Sequence, residues 1–301
     1  MQLTYLRRLF RERDPQLIIV CQGYIESGVR GLLASHSLDT KTVSYLPLGY
    51  TNREMGTRMA WIRDRIRSLP MRLPDAFLTV SSFQAQLIRR STAAHQSVHI
   101  IRNPVSFAPQ LSIIPPELNS RGRLKIAVIG RVRFQQKNQA ILIKVAQILE
   151  AQRFPITIHI VGDGPDLARL HKLIRKFRLE DSFQLHGWLE RTDIERLLST
   201  EVDVIVIPSQ YEGLPLVLLE ALEHNKPFLI SSLGFTADYE IPLSWQIDPN
   251  SPEDIADKLI KFVNYFNPKD FLALRTRVMH QHSRESFLQE VDSCFASLLD
   301  S

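Results

Sequence analysis

The sequence predicts an α/β protein made of two doubly wound units with parallel sheets, and three observations carry that prediction. Apolar, β-branched runs bounded by turn residues alternate with helix-period segments along the whole chain, the pattern of parallel strands joined by crossover helices. A length of 301 residues suits about two domains. The stretch 103–123 interrupts the alternation with proline, serine and asparagine and has little periodicity, as an interdomain linker does.

Taken in order, apolar spacing gives a helix over 3–13, a strand over 17–21 and a helix over 28–37. A strand over 42–46, a basic helix over 58–68, a strand over 76–80, a helix over 82–90 and a strand over 98–101 follow. The second part opens with a strand over 124–129, a helix over 138–152 and a strand over 156–161. It continues with a helix over 165–177, strand 183–186, helix 193–199, strand 204–207, helix 215–224, strand 228–231 and helix 252–265. These elements define an N-terminal unit over 1–108, a linker over 109–123 and a C-terminal unit over 124–266. Two closing helices over 267–301 are expected to pack back on the first unit.

Composition narrows the function. The chain is 44% hydrophobic and 23% charged, as ordinary globular proteins are, and no apolar run reaches the roughly 20 residues a membrane-crossing helix needs. Residues 1–10 carry arginines and lack a continuous apolar block or cleavage site, so a cytoplasmic address is expected. Cys21 and Cys294, the two cysteines, form neither a disulfide framework nor a metal cluster by spacing, and Cys21, in an apolar run, reads as core. Charge is unevenly divided: residues 1–110 hold 15 Lys+Arg against 7 Asp+Glu, and residues 111–301 hold 22 against 25. A basic first part favours an anionic partner, lipid surface or nucleic acid, or is simply a solvated basic face.

The segment richest in chemistry is Pro208-Ser209-Gln210-Tyr211-Glu212-Gly213-Leu214-Pro215, which follows an apolar strand and opens a helix containing Glu220. Pro215 suits the first helical turn, and Gly213 permits close approach of backbone to a ligand. In open parallel sheets the crevice at the strand ends is where ligands bind, and the positive end of a helix favours a phosphate. Glu212 and Glu220 could accept hydrogen bonds from sugar and ribose hydroxyls. A second cluster, Gly130-Arg131-Val132-Arg133-Phe134-Gln135-Gln136-Lys137, also follows a strand, and its cations could neutralise a diphosphate leaving group as charge develops on it. Taken singly, these residues fit a solvated loop as well; taken together they fit a site. The chain has no Asp-x-Asp pair and no ligand cluster with metal spacing, so metal-independent chemistry without a cofactor is expected. Gly162-Asp163-Gly164-Pro165 lacks the last glycine of a dinucleotide fingerprint, which would stand at Leu167, and reads as a structural turn. Gly187, after His186, either lets a base lie against the backbone or makes a plain turn.

In these two clusters the sequence resembles family 4 of the glycosyltransferases, retaining enzymes whose GT-B fold sets two Rossmann-like domains across a cleft. Glu212 and Glu220 match that family's glutamates separated by seven residues, and Gly130-Arg131 with Lys137 match its basic pair. The resemblance implies that Arg131 and Lys137 contact the donor diphosphate, Glu212 the transferred sugar together with the amides of Gly213 and Leu214, and Glu220 the ribose. It implies retention by front-face attack, a nucleotide-diphosphate sugar as co-substrate, and a glycan or lipid-linked acceptor in surface polysaccharide synthesis. In the first half it covers only Val80-Ser81-Ser82 and Ile100-Ile101-Arg102-Asn103-Pro104-Val105, so the first domain is expected to be incomplete, with a partner chain as one way to complete it.

The basic segment 58–67 has its own reading. On a helix Met59, Ile62, Ile66 and Leu69 share a face flanked by arginines with Trp61 nearby, the pattern of a helix resting on an anionic membrane. An amphipathic helix covering its own core has the same pattern. Nucleic acid is not expected as a partner, because no stacked aromatics interleave with the arginines. The competing functional reading is a nucleotide-sugar-binding fragment without turnover of its own.

Overall fold

The computed structural model describes residues 2–67, 70–105 and 123–299. In chain order the elements are α1 (Gln2–Arg13), β1 (Leu17–Cys21), α2 (Val29–Ser35), β2 (Lys41–Tyr45), α3 (Ala60–Arg67), β3 (Ala76–Thr79), α4 (Ser82–Arg89) and β4 (Ser97–Ile100). Then come β5 (Leu124–Ile129), α5 (Phe134–Lys137), α6 (Ile141–Ala151), β6 (Ile156–Val161), α7 (Leu167–Lys176), β7 (Phe183–Gly187), α8 (Arg191–Glu201) and β8 (Val204–Ile207). The chain closes with α9 (Leu216–Glu223), β9 (Phe228–Ser231), α10 (Phe235–Asp238), β10 (Gln246–Ile247), α11 (Pro252–Tyr265), α12 (Pro268–Gln281) and α13 (Arg284–Leu299). It divides into two units, one of Met1–Val105 with Gln281–Ser301 and one of Ser106–His280. Apart from Arg123, the linker expected over 109–123 lies outside the described residues.

The first unit holds a parallel four-stranded sheet in the order β1-β2-β3-β4. One face packs Val43, Ala76, Leu78 and Ile101 against Cys294 and Leu298 of α13. The other face is covered in two clusters: Ile18 and Val20 pack with Leu32 and Phe10, while Phe77 packs with Ile25, Met71 and Ile88. Because β1 is the edge strand and its side chains alternate, Cys21 and Ile19 point away from that cover and are exposed. The expectation that Cys21 is core is therefore corrected: in a five-residue edge strand an apolar run does not guarantee two covered faces. The closing helices are shared out, α12 to the second unit and α13 to the first.

The second unit holds a parallel six-stranded sheet in the order β10-β9-β8-β5-β6-β7. Its strands β8, Val-Ile-Val-Ile, and β9, Phe-Leu-Ile closed by a hydrogen-bonded Ser231, are buried at every residue, as strands covered by helices on both faces must be. From β5 the order runs through β6 to β7 on one side and through β8 to β10 on the other, so it reverses between β5 and β8. Local chemistry sets the ends: Ser251 caps α11 by accepting the Asp254 N–H, with Pro252 in the first turn. The helix expected over 138–152 is α6, three residues shorter at its start, and the short α5 precedes it, ended by Asn138 in the left-handed conformation (φ 57°). Pro215 is the residue before α9 rather than its first, with extended backbone (φ −70°, ψ 118°).

Candidate functional site

Three of the loops at the C-terminal ends of the second unit's strands carry sequence-derived residues. Gly130 and Arg131 follow β5, Glu212 to Pro215 lie between β8 and α9, and Gly187 ends β7. The first two loops leave neighbouring strands at the point where the strand order reverses, the crevice in which doubly wound sheets bind ligands.

The backbone draws these loops together. The Gln210 N–H donates to the Gln136 carbonyl at 2.7 Å, and the Asn138 side chain donates to the Pro208 and Pro249 carbonyls at 3.1 and 2.7 Å. From the other side the Asp166 carboxylate accepts the Phe134 N–H at 2.8 Å, and Gln139 donates to the Arg131 carbonyl at 3.0 Å. Gly162 faces the Gly130 carbonyl so closely that a Cβ there would fall on its oxygen, so the turn after β6 serves to seat the loop after β5. None of Asn138, Gln139 or Asp166 figured in the reading of the sequence. An asparagine directly after a short helix is a readable left-handed stop, but its two carbonyl partners lie 70 and 111 residues away.

At the meeting point Lys137 Nζ stands 2.7 Å from Glu212 Oε1, the side chains 19% and 8% exposed. The lysine stem runs over Gly130, where a Cβ would lie 3.5 Å from Lys137 Cε; the Gly130 φ of 135° is itself a conformation that side chains disfavour. Arg131 is exposed on the same loop. Gly213, Leu214 and Pro215 are buried beside Glu212. Glu220 is half-buried in the second turn of α9, and burial holds its carboxyl above the usual range, while His224, Arg191 and Lys137 oppose that shift. Burial likewise raises the Tyr211 phenol.

Gly187 takes φ 67° next to a register shift between β6 and β7, and exposed Trp188 follows it. The same irregularity turns His186 toward buried His159, ring stacked on ring, with His159 Nδ1 3.0 Å from His186 Nε2. Among the described residues His159 Nε2 is buried without a hydrogen-bond partner. A bare acceptor there costs less than a bare donor, so the shared proton belongs on His159 Nδ1 and His186 accepts it. Burial, followed by the neighbouring His186, holds His159 below its ordinary value.

Chemically, the crevice offers a cation, a carboxylate bound to it and a second carboxylate eight residues on in the second turn of a helix, groups able to hold a polyhydroxyl ligand that carries phosphate. Comparison with known proteins gives the family and the fold. Residues 112–268 match the family described as Glycosyl transferases group 1. An uncharacterised glycosyltransferase of Bacillus subtilis strain 168, YqgM, is 29% identical over 168 residues, covering 56% of this chain and 45% of that protein. Lipopolysaccharide 1,6-galactosyltransferase of Escherichia coli K12 is 29% identical over 164 residues, covering 51% of this chain and 42% of that one. The matches thus span less than half the length of these relatives. Among solved structures, HepE of Anabaena in complex with UDP and glucose superposes with a TM-score of 0.76 at 16% identity, over 98% of this chain and 81% of that one. The fold, two Rossmann-like α/β units each with its own parallel sheet, is that of the GT-B glycosyltransferases. The chain belongs to the group 1 glycosyl transferases.

Proposed function

We propose that the protein transfers a hexose-type sugar from a nucleotide-diphosphate donor to a glycan or lipid-linked acceptor, with retention of anomeric configuration, in the synthesis of a surface polysaccharide. The observation that carries the reading is the Lys137–Glu212 pair, held where the strand order of the second unit reverses. HepE, bound to UDP and glucose, favours a uridine donor, and the lipopolysaccharide galactosyltransferase favours a hexose and a surface glycan.

In this reading the donor diphosphate takes Lys137 as a partner and draws on exposed Arg131, with these cations in the place of a metal ion. Lys137 then turns from Glu212 to phosphate, and Glu212, freed from its ion pair, accepts hydroxyls of the sugar. The amides of Gly213 and Leu214 complete that contact, Glu220 takes the ribose, and the base lies over Gly187. The acceptor oxygen attacks the anomeric carbon on the face from which the diphosphate leaves, and the departing phosphate oxygen takes the acceptor's proton. Positive charge near that oxygen lowers the barrier because it meets charge that grows in the transition state.

Calorimetric titration of UDP, GDP, ADP and their sugars tests the reading, with wild type set against Lys137→Ala and Glu220→Ala. One nucleotide series should bind, and each substitution should weaken it at least about tenfold, the size of one charge-assisted contact. Sugar transfer should disappear in Glu212→Gln while nucleotide binding persists. Equal binding by all three proteins, or by none, would overturn the assignment.

A further inference from the structure

Helix α3 is mounted with its polar side inward. Arg63 pairs with Glu26, its Nε 3.0 Å from Oε1. The Asp64 carboxylate accepts the Asn52 and Arg53 backbone N–H groups at 2.7 and 3.2 Å, and Asn52 donates to Glu26. At 100° per residue Trp61, Arg65, Ile62 and Ile66 then fall on the opposite side. Trp61 is 74% and Ile66 67% exposed, Arg65 is exposed and Ile62 half-buried. Met59, just before the helix at φ 55°, is 65% exposed. The sequence predicted one face of Met59, Ile62, Ile66 and Leu69; Leu69 lies outside the described residues, and the left-handed turn at Met59 sets it before the first helical turn.

A surface helix of a globular protein turns its apolar side to the core. This one is fastened by an ion pair and two backbone N–H hydrogen bonds to Asp64, and points a tryptophan and an isoleucine outward, with exposed Met59 just before it. Two readings were open, a helix covering its own core and a helix lying on lipid, and the mounting removes the first. Exposed charge between residues 53 and 66 consists of Arg53, Arg58 and Arg65 against Glu54, within a first part that holds 15 Lys+Arg to 7 Asp+Glu. Apolar tips rimmed by arginines match a surface with an oily interior and anionic headgroups.

We propose that Met59, Trp61, Ile62 and Ile66 insert into the headgroup boundary of an anionic bilayer while Arg58 and Arg65 meet its phosphates, so that α3 docks the first unit on a membrane. The inference rests on α3 alone and stands or falls independently of the transferase reading.

Co-sedimentation with vesicles of phosphatidylcholine containing about a third phosphatidylglycerol tests it, beside pure phosphatidylcholine and with Trp61 emission as a second readout. Wild type should bind the anionic vesicles at least about tenfold more tightly than neutral ones, less so at high salt, and Trp61 emission should shift to the blue. Ile66→Asp and the double change Arg58→Glu with Arg65→Glu should each lower binding at least about tenfold. Their melting temperatures should match wild type, because the altered side chains are exposed. Phe replacements of Trp188 and Trp245 assign the emission to Trp61. The proposal is overturned if wild type ignores anionic vesicles, if the variants bind as it does, or if Trp61 emission stays put. It is overturned equally if Ile66→Asp acts by dissolving a dimer of this chain, read by light scattering without lipid.

Discussion

At the scale of single residues the Lys137–Glu212 pair bears on stability and, in the proposed reading, on donor binding. Glu212 is almost wholly buried, so removing Lys137 takes away a charge that offsets the desolvation of its carboxylate. Lys137→Met should cost about 2–3 kcal/mol in thermal or urea unfolding, the low end for a buried pair because the lysine is one-fifth exposed. The double change Lys137→Met with Glu212→Gln should cost less than Lys137→Met alone, since the desolvated carboxylate is then gone too. Protons act on a second pair of sites. His159 in the second unit and His282 in the first are both held below the ordinary histidine value of 6.5, in each case chiefly by burial. The unfolded chain therefore takes up protons that the fold refuses, so their stability contribution is present above pH 6.5 and is lost as pH falls below it. Melting temperature should drop as pH goes from 7 toward 5, and His159→Asn with His282→Asn should flatten that slope. Of the crevice, the sequence marked Glu212, Glu220, Arg131 and Lys137 as candidates. It could not show that Lys137 rather than Arg131 holds Glu212, because side-chain reach across a 75-residue separation is a property of the packed loops. His159 facing His186 was equally hidden, since it depends on a register shift that has no local sequence signal.

At the scale of elements, loop-on-loop seating places the cations. The turn after β6 meets the loop after β5 at a spot where only glycine fits. Gly162→Ala should cost at least about 2 kcal/mol in unfolding, from the overlap with the Gly130 carbonyl and the φ of 132°. Because the loop it displaces carries Arg131 and Lys137, nucleotide affinity should fall in the same variant although residue 162 touches no ligand in the proposed site. Most elements were legible: β1, β5, β6, β8, β9 and α11 have the bounds that alternation, apolar runs and the Ser-Pro cap indicate. What escaped were pieces too short to show a period, the four-residue α5 and α10 and the two-residue β10. The exposure of Cys21 escaped for another reason: composition tells that a strand is apolar, whereas coverage depends on whether a neighbour lies beyond it. The outward side of α3 is the converse case, where the period was right and the mounting, decided by Glu26 and by Asp64 on distant backbone, was not readable.

At the scale of the molecule the first unit is discontinuous. Its sheet comes from the first 105 residues, yet one face is closed by Cys294 and Leu298 at the far end of the chain. Lys41 Nζ donating to the Leu298 carbonyl and Glu290 accepting the Arg102 N–H at 2.7 Å fasten α13 there. Leu298→Ala should cost about 2–4 kcal/mol and Leu298→Asp more, with the loss confined to the first unit's transition and nucleotide binding by the second unit retained. The discontinuity also imposes an order of events during biosynthesis. Chain emerges from the ribosome at about 5–20 residues per second, so on the order of 10–40 s separates the making of β4 from that of α13. Throughout that interval Val43, Ala76, Leu78 and Ile101 have no lid, while the second unit, contiguous in the chain, can finish folding. The nascent protein thus carries a naked apolar sheet face until its last helix is made, and ribosomal pausing or early termination within α13 would leave that face as a standing substrate for chaperones and proteases.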